Sequence, residues 1–393
     1  MRAVAIAAAV ATSLALTACG GGHAKVDTAT DTHVLPPANP IAVGKMVQGV
    51  GAAKEGQRER AVSLLKEAIG IDPNLWEARF NLGVVLASAG DLAGAEDQLR
   101  SAHKLAPEVQ DVIVALAEVA RRRGEHRSAA DLLGDYVQAH AQAVDARTLL
   151  VAALRNSGQI DKAIDQGREV LVRKPGDASA LAELALCHLA KGERETATLL
   201  TKQALDANKD SAIAHRAMGL IQLQNGDDAL AFQSFLKASQ TDPRDTTARL
   251  NMGGVLLRAG AYTKAEEQYR AILQVSPDDS EAQIGLAAAV RGEADPKNPG
   301  AKLEEARTLL GKVLDRDPHN IAALYNLGVL YADFLKRPAD ATPLFQRFLS
   351  EAPGDHPARP DAEKYMAGAT AAPAKPATTP TKPATGTKPK GGK

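Results

Sequence analysis

Seven glycines recur in this chain at a fixed interval of 34 residues, and an alanine follows five residues after each of them. The glycines are Gly56, Gly90, Gly124, Gly158, Gly192, Gly226 and Gly260. A period this strict indicates one supersecondary unit that is stacked many times, because each unit buries its apolar face only against its neighbours. The pattern therefore predicts a solenoid and excludes most compact catalytic folds.

Each 34-residue unit carries the signals of two helices. In the unit that begins at Trp76, the residues Ala95, Leu99 and Ala102 fall on one helical face, with polar residues between them. The glycine stands where the first helix must end, because the left-handed conformation of a helix cap favours glycine. A proline 17 residues after most of these glycines ends the second helix.

The recurring small, glycine and proline positions resemble the tetratricopeptide repeat (TPR) over about residues 42–355. We distinguish nine repeats, which begin near Ala42, Trp76, Gln110, Val144, Ala178, Ala212, Thr246, Ser280 and Ile321. The eighth is longer by seven residues between its helices, within Gly292–Gly300, and the ninth is longer by one residue, near Arg337-Pro338. A short helix at about residues 360–368 is expected to cap the array. The resemblance implies an all-α, right-handed TPR superhelix over residues 42–368.

The first residues have the pattern of an export signal. The apolar run after Met1-Arg2 is too short to span a bilayer comfortably. Leu16-Thr17-Ala18-Cys19 resembles the lipobox of bacterial lipoproteins, which implies a lipoprotein signal peptide over residues 1–18 and a lipidated Cys19. A plain secretory signal and an uncleaved membrane anchor are the alternatives. Residues 19–41 are rich in glycine, threonine and proline, so we expect a flexible tether.

Residues 369–393 contain five lysines and no acidic residue among alanines, prolines and threonines, so we expect a disordered tail. This tail either keeps the chain soluble or contacts anionic envelope polymers or lipid head groups. By the usual sorting rule of bacterial lipoproteins, Gly20 after the cysteine favours the outer membrane, and we expect the protein to face the periplasm.

No catalytic constellation is visible in the sequence. The chain has no P-loop, no His-Glu-x-x-His motif and no paired cysteines with metal-ligand spacing. Its 47 basic and 47 acidic residues balance, so the chain has no net charge that would attract a polyanion. It also has no stretch in which basic residues alternate with aromatic ones, and both observations argue against a nucleic-acid partner. We therefore expect a protein that is not an enzyme and that uses no cofactor, metal or small-molecule substrate.

Several polar residues are interpreted as structural. Cys187 lies inside a first helix and is expected to be a small buried hydrophobe. The acid pair Glu266-Glu267 and histidines near turns, such as His103 and His126, are expected to be solvated. The run Arg121-Arg122-Arg123 ends a first helix, where cations suit the helix dipole, and a binding role is the alternative.

The TPR resemblance also implies a binding groove, because positions 2, 5, 9 and 12 of each first helix line the concave side of such arrays. The candidate partner-binding residues are Phe80, Val84, Leu220, Leu223, Leu250, Leu257 and Tyr325, and the four leucines are expected to form one strip. Groove positions of the fifth repeat hold Leu186 and Leu189. The polar exceptions are Glu118, Arg121, Asp145, Thr148, Arg155, Arg216, Glu281 and Arg291. An apolar groove suits an amphipathic helix or an extended apolar segment; the alternative is that tight winding buries much of it.

The residue set with which TPR proteins clamp peptide carboxylates is absent from these groove positions. These observations predict a non-catalytic, lipid-anchored TPR scaffold that binds other envelope proteins through its groove. The chain resembles TPR lipoproteins of gliding-motility, pilus-assembly or secretion complexes in the bacterial envelope. The alternative is a cell-wall-associated adaptor that recruits enzymes of peptidoglycan or outer-membrane biogenesis.

Overall fold

A computed structural model describes residues 36–243, 245–295 and 300–371 of the chain. These residues form nineteen α-helices and one π-helical turn, and they contain no β-strand. The helices are α1 (Pro40–Lys54), α2 (Arg58–Ile71), α3 (Trp76–Ser88), α4 (Leu92–Leu105), α5 (Gln110–Arg122), α6 (His126–Ala139), α7 (Val144–Asn156), α8 (Ile160–Arg173), α9 (Ala178–Ala190), α10 (Arg194–Ala207), α11 (Ala212–Gln224), α12 (Asp228–Thr241), α13 (Thr246–Arg258), α14 (Tyr262–Val275), α15 (Ser280–Gly292), α16 (Gly300–Arg316), α17 (Ile321–Val329), α18 (Pro338–Glu351) and α19 (Arg359–Ala371). Odd-numbered helices up to α17 are the first helices of the nine repeats, and from Trp76 onward each predicted repeat start is the first residue of a helix. The predicted all-α TPR fold is thus confirmed.

The described helices divide into two compact bodies. The first body comprises the described residues up to Val255 together with Ala271–Pro277, and the second comprises Leu256–Arg270 and the described residues from Asp278 onward. Within each body the two helices of a repeat pack against each other, and each repeat packs against the next. First helices of neighbouring repeats also contact one another, as α9 does with α11 in the first body and α15 with α17 in the second.

The recurring glycines end the first helices, as predicted. All seven have a positive φ, between 69° and 88°. After Gly90, the backbone N–H of Asp91 donates to the carbonyl of Leu86 at 3.1 Å and closes the turn. The Asp91 carboxylate then accepts a hydrogen bond from the backbone N–H of Gly94 at 2.9 Å and caps α4. One short sequence therefore ends one helix and begins the next.

Small residues in the first helix make room for large ones in the second. Counting Trp76 as position 1, Gly83 is at position 8, and a Cβ atom there would lie 2.6 Å from Cγ of Leu99 at position 24. In the sixth repeat a Cβ on Gly219 would lie 2.5 Å from Cε1 of Phe235. Leu99 and Phe235 have no exposed surface, so in these two repeats the second helix is anchored through one large buried side chain at position 24.

The fourth repeat reverses this arrangement. Its position 8 holds the fully buried Val151, and its position 24 holds Gly167. A Cβ on Gly167 would lie 2.6 Å from Cδ2 of Leu184 in the next repeat, so the space that the glycine leaves is filled from α9. The interlocking of the repeats is kept, with the large and small side chains exchanged between helices.

The two irregular repeats depart from the period where the sequence indicates. In the eighth, α15 ends at Gly292 and α16 begins at Gly300. In the ninth, the extra residue is taken up by a π-helical turn at Leu330–Phe334, in which the backbone N–H of Leu335 donates to the carbonyl of Leu330 at 2.9 Å. Lys336 then occupies the place of the recurring glycine, with φ 55°.

The last helix caps the array as predicted. α19 packs against α18 through Ala362, which has no exposed surface, and Tyr365, whose ring stacks on that of Phe345 at 4.6 Å between centroids. Arg359 donates to the carbonyls of Leu349 at 2.8 Å and Ala352 at 2.9 Å. These bonds satisfy backbone acceptors at the end of α18 that have no partner within the helix.

Some predicted features lie outside the described residues. These are the signal peptide over residues 1–18, the lipidated Cys19, the tether up to residue 35, and the tail from residue 372. Among the helices that the structure describes, none combines the length and apolar character that a membrane crossing requires.

Candidate binding surface

We call the side chains at positions 2, 5, 9 and 12 of the first helices the inner face. All seven predicted partner-binding residues on this face are partly buried. Leu220 and Leu223 pack against a core cluster around Phe235 and Met252, and Phe80 packs against the cluster of Leu99. These side chains therefore have a buried flank in the stack and an accessible flank, which a partner requires.

The fifth repeat corrects the sequence-based expectation. Leu186 and Leu189 occupy groove positions but are only 4% and 7% exposed. Leu186 packs with Ala217, Ile213 and Leu220 of the next first helix, α11. Positions 9 and 12 of α9 are therefore core, and the alternative of burial by close packing holds for these two positions.

The arginines of the inner face in the first body form ion pairs. Arg121 donates to Glu118 through Nε and Nη2, both at 2.7 Å. Arg155 donates through Nε to Glu183 at 3.0 Å, and the Glu183 side chain is only 4% exposed. Arg216 pairs in the same way with Asp245, with Nη1 2.5 Å from Oδ2. Because each arginine has its own carboxylate, this stretch offers little free charge to a ligand.

The remaining arginines of the predicted run join neighbouring repeats. Arg122 donates from Nη1 to the carbonyl of Ala87, near the end of α3, at 2.7 Å. Arg123 bonds to Glu96 in α4 and lies 2.9 Å from Glu125. The structural interpretation of this run thus accounts for Arg122 and Arg123, and a binding role is not needed to explain them.

Cys187 is fully buried and unpaired, as expected for a small core residue. Burial raises the pKa of its thiol to about 12, so it is a poor nucleophile. His103 and His126 are only partly exposed, whereas we predicted solvated rings. Each has a buried Nδ1 with no hydrogen-bond partner among the described residues, and burial lowers the pKa of both rings.

Glu266 is likewise not a freely solvated acid. In the second body, Lys302 Nζ lies 2.9 Å from Glu266 and 2.8 Å from Glu293, and Arg270 donates to Glu266 at 2.6 Å. Burial alone would raise the pKa of Glu266, but the hydrogen bonds from Lys302 and Arg270 hold it below its ordinary value. The network joins α14 to the start of α16 and closes the lengthened eighth repeat.

The described residues contain no group of three or more His, Cys, Asp or Glu side chains that could hold a metal ion.

One inner-face residue stands apart in its contacts. Arg291, in α15, lies with its guanidinium carbon 5.2 Å from the centre of the Phe334 ring. Phe334 belongs to the π-helical turn of the ninth repeat and is 42% exposed. The sequence pattern did not predict this contact, because it depends on the one-residue insertion.

Family models decide the identity of the fold. One model described as a tetratricopeptide repeat matches residues 52–111 and 222–290, and a second with the same description matches residues 114–178, 183–246 and 301–356. The chain belongs to the tetratricopeptide repeat family. TPR arrays are typically non-catalytic and mediate protein–protein interaction along an extended surface.

Similar proteins come from different systems. Lipopolysaccharide assembly protein B of Escherichia coli (strain K12) is 26% identical over 218 residues, 52% of this chain and 55% of that protein. Type IV pilus assembly protein PilF of Pseudomonas aeruginosa is 28% identical over 124 residues, 32% of this chain and 44% of that protein. Human protein O-mannosyl-transferase TMTC1 is 26% identical over 249 residues, 63% of this chain and 24% of that protein. The chain thus spans between a quarter and about half of the length of these relatives.

A solved structure shows the same fold. A chain in the crystal structure of the APC/C hetero-tetramer Cut9-Hcn1 aligns with a TM-score of 0.55 and 14% identity, covering 84% of this chain and 76% of that one. At this level of identity the similarity concerns the fold alone.

Proposed function

We propose that the chain is a lipid-anchored TPR scaffold that binds another protein of the bacterial envelope along its inner face. The observation that carries the proposal is the chemistry of α11 and of the part of α13 that belongs to the first body. There Leu220, Leu223 and Leu250 keep partly exposed apolar side chains at inner positions. Exposed apolar surface of this kind in a soluble array is typical of a docking site. An amphipathic helix or an extended apolar segment fits it.

The relatives support an envelope setting. Two bacterial relatives are named for pilus assembly and lipopolysaccharide assembly. The lipobox-like sequence before Cys19 agrees with that setting, and it assigns the anchor to an acyl chain on that cysteine. The proposed location is therefore the outer membrane, facing the periplasm. Gliding motility, pilus assembly and secretion are the processes that we propose.

A second function is favoured by one particular relative. Because lipopolysaccharide assembly protein B matches over 52% of this chain, an adaptor that recruits enzymes of outer-membrane or peptidoglycan biogenesis is the alternative. Both functions use the same inner face. They differ in the identity of the partner, which a crosslinking experiment determines.

The docking surface is tested with a photo-crosslinking amino acid at Leu223 or Leu250 in cells. The matched control is Leu230 in α12, which is 48% exposed on a second helix. We expect a discrete crosslinked protein from the two inner positions and none from Leu230. Leu223→Glu should abolish the crosslink from Leu250 while α-helical content is kept. Equal crosslinking from inner and outer positions would contradict the proposed surface.

The anchor is tested separately. Cys19→Ser should abolish labelling by palmitate and leave the precursor uncleaved. The inner-face crosslink is then measured in detergent extracts, so that loss of the anchor is not mistaken for loss of binding. Unchanged palmitate labelling of Cys19→Ser would contradict the lipoprotein assignment.

A further inference from the structure

Long polar side chains close most of the turns between successive repeats. Arg79, at position 4 of the second repeat, donates through Nε to the carbonyl of Pro73, at position 32 of the repeat before, at 3.1 Å. Arg147 and His215 occupy position 4 of their own repeats and donate to the equivalent carbonyls at 3.4 Å and 2.8 Å. The side chain at position 4 therefore satisfies a backbone acceptor that lies outside the helices.

Other turns receive their donor from a second helix. These turns precede the third, eighth and ninth repeats, and in each case the second helix of the following repeat reaches back to a turn carbonyl. The donors are Tyr136, Arg316 and Arg347, which bond to the carbonyls of Glu108, Asp278 and Pro318. A side-chain donor to the turn is thus a regular part of the repeat, although it comes from two different helices.

The turn before the fifth repeat has no such donor. Position 4 of that repeat holds Leu181, an apolar side chain that is 7% exposed. Among the described residues, no side chain donates to the carbonyl of Pro175 or Gly176. The neighbouring Lys174 is paired with Asp177, with Nζ 2.7 Å from Oδ2. This turn therefore keeps open a backbone acceptor of the kind that the chain satisfies with its own side chains in six other turns.

A groove of about 420 Å³ opens beside this turn, between the second helices α8 and α10. Leu171 of α8 packs against the core cluster that contains Leu181, so these two side chains give the groove an apolar floor. The groove joins position 4 of the repeat to the turn, which is the path along which Arg79 extends in the second repeat. Its lining includes Leu171, Pro175, Gly176, Leu181, Gln203 and Asp206.

The groove also carries a negative charge. Asp206 of α10 is exposed, and its side chain has no hydrogen bond or ion pair among the described residues. Lys202, one helical turn earlier, does not pair with it. Leu199 lies on the same helical face as Gln203 and Asp206, at i, i+4 and i+7, and is 58% exposed. An unpaired carboxylate between an apolar groove and an exposed leucine favours a ligand that is both cationic and apolar.

An arginine side chain has these properties. Its methylene groups pack on leucine side chains, while its planar guanidinium carries five N–H donors. Those donors suffice for a carboxylate and a backbone carbonyl together. The chain itself shows such an arrangement at Arg147, which is 7% exposed and donates to the carbonyls of Val137 and Ala141. Lysine presents a compact charge without this fork of donors, so arginine fits the groove better.

We propose that the groove between α8 and α10 binds an arginine side chain of a partner polypeptide. The guanidinium pairs with Asp206 and donates to the carbonyl of Pro175. The methylene stem packs on Leu171 and Leu181, and a neighbouring apolar residue of the partner packs on Leu199. This surface is formed mainly by second helices, so it goes beyond the proposed inner-face docking and is independent of it.

The test selects random peptides of about a dozen residues by phage display on the detergent-solubilised full chain. Each selected peptide is then measured on variants of the full chain. Asp206→Asn removes the charge, and Leu181→Arg fills the groove with the chain's own side chain, as Arg147 does at the same position of the fourth repeat. Asp97→Asn is the matched control, because Asp97 is also exposed on a second helix, α4, and forms no ion pair in the described part of the chain. Circular dichroism confirms that each variant is folded.

Peptides that bind the groove should contain an arginine beside an apolar residue. Replacing that arginine by citrulline, which keeps the shape but not the charge, should weaken binding to the wild-type chain by about tenfold. Asp206→Asn should weaken binding of the arginine peptide by about three- to fivefold, as expected for a partly exposed ion pair, and should reduce the effect of citrulline. Leu181→Arg should abolish binding, and Asp97→Asn should leave it unchanged.

Arginine peptides that bind Asp206→Asn as tightly as the wild-type chain would overturn the groove assignment, and this arm decides the matter even where Leu181→Arg does not fold. If the selected peptides lose binding only to Leu223→Glu, the inner-face function stands and the groove assignment fails. If replacing all lysines of residues 372–393 by glutamine raises the affinity of the groove for the peptide by about tenfold, the chain's own tail is the occupant and the assignment to a partner fails. Peptides that depend on Asp206 and not on Leu223 support the groove, whatever the inner face binds.

Discussion

Gly219 in α11 offers a sharp test of how the repeats are packed. A Cβ atom at this position would lie 2.5 Å from Cε1, 2.7 Å from Cδ1 and 2.8 Å from Cζ of Phe235. Because carbon atoms pack at about 3.5–4.0 Å, the ring or the helix would have to move by roughly 1 Å. Phe235 has no exposed surface, so no open space receives the displaced ring. Gly219→Ala should therefore strain the sixth repeat.

The substitution has two opposing effects on the free energy of unfolding. Alanine is favoured over glycine inside a helix by about 0.8–1.0 kcal/mol, whereas overpacking a core costs about 1–3 kcal/mol. Gly134→Ala in α6 isolates the first effect, because no neighbouring atom lies within 4 Å of its Cβ position. We expect Gly134→Ala to be more stable than the wild-type chain by about 1 kcal/mol. The free energy of unfolding of Gly219→Ala should be lower than that of Gly134→Ala by about 1–3 kcal/mol.

The chain itself supplies a rescue. The third repeat places Ala117 at position 8 and Leu133 at position 24, and both are buried in one cluster. Phe235→Leu should therefore make room for an alanine in place of Gly219. The free energy of unfolding of the double variant should be higher than the sum of the two single changes predicts. Urea denaturation gives the free energy of unfolding of the whole chain. Hydrogen exchange in α11 and α12 gives the free energy of local opening, which differs because stacked repeats can open separately. A Gly219→Ala variant as stable as Gly134→Ala would refute the packing argument.

Three further outcomes are expected. Lys336→Gly should raise the free energy of unfolding by about 1–2 kcal/mol, because it relieves a left-handed backbone conformation at φ 55°; calorimetry that shows no gain would count against that strain. In a Cys19→Ser background, Cys187 should resist thiol reagents at about pH 8 until urea opens the fifth repeat, since burial raises the pKa of its thiol to about 12; labelling at the rate of the unfolded chain would contradict this. His140 donates to the backbone carbonyl one helical turn earlier and to Glu108 at 2.6 Å, and these bonds raise the pKa of its imidazole. Its stabilising contribution should be complete below the unfolded pKa of about 6.5 and disappear as the pH rises through the folded value; denaturation at several pH values should show this loss in the wild-type chain and not in His140→Gln.

The parts of the fold that depend on local signals could be predicted from the sequence. Gly90 marks a helix end because it supplies a left-handed cap, and Asp91 marks the next helix start because its carboxylate accepts a backbone N–H. Both effects act within a few residues. Repetition then extends one correct assignment to the other repeats. The inserted residue of the ninth repeat was visible as a break in this period, although its form as a π-helical turn was not.

The burial of individual inner-face residues could not be predicted, because it depends on neighbours about 30 residues away. Leu186 has the repeat position of a groove residue, but Ile213 and Leu220 of the next repeat cover it. Glu266 has the pattern of an exposed acid, but Lys302 reaches it from α16 across the lengthened eighth repeat. A 34-residue period gives each residue its helix face, and the side chains of the adjoining repeats decide its exposure.

Packing and recognition use different positions of the same helices. Positions 8 and 24 hold the interlocking pairs, such as Gly83 with Leu99, whereas position 12 lies on the inner face. Residues at position 12 can therefore change from repeat to repeat without disturbing the packing between the two helices of a repeat. At Arg155 the array itself neutralises the charge through Glu183. Partner contacts should accordingly concentrate at inner positions whose apolar surface the array leaves accessible, which identifies the partly exposed Leu223 as a position where substitution separates binding from folding.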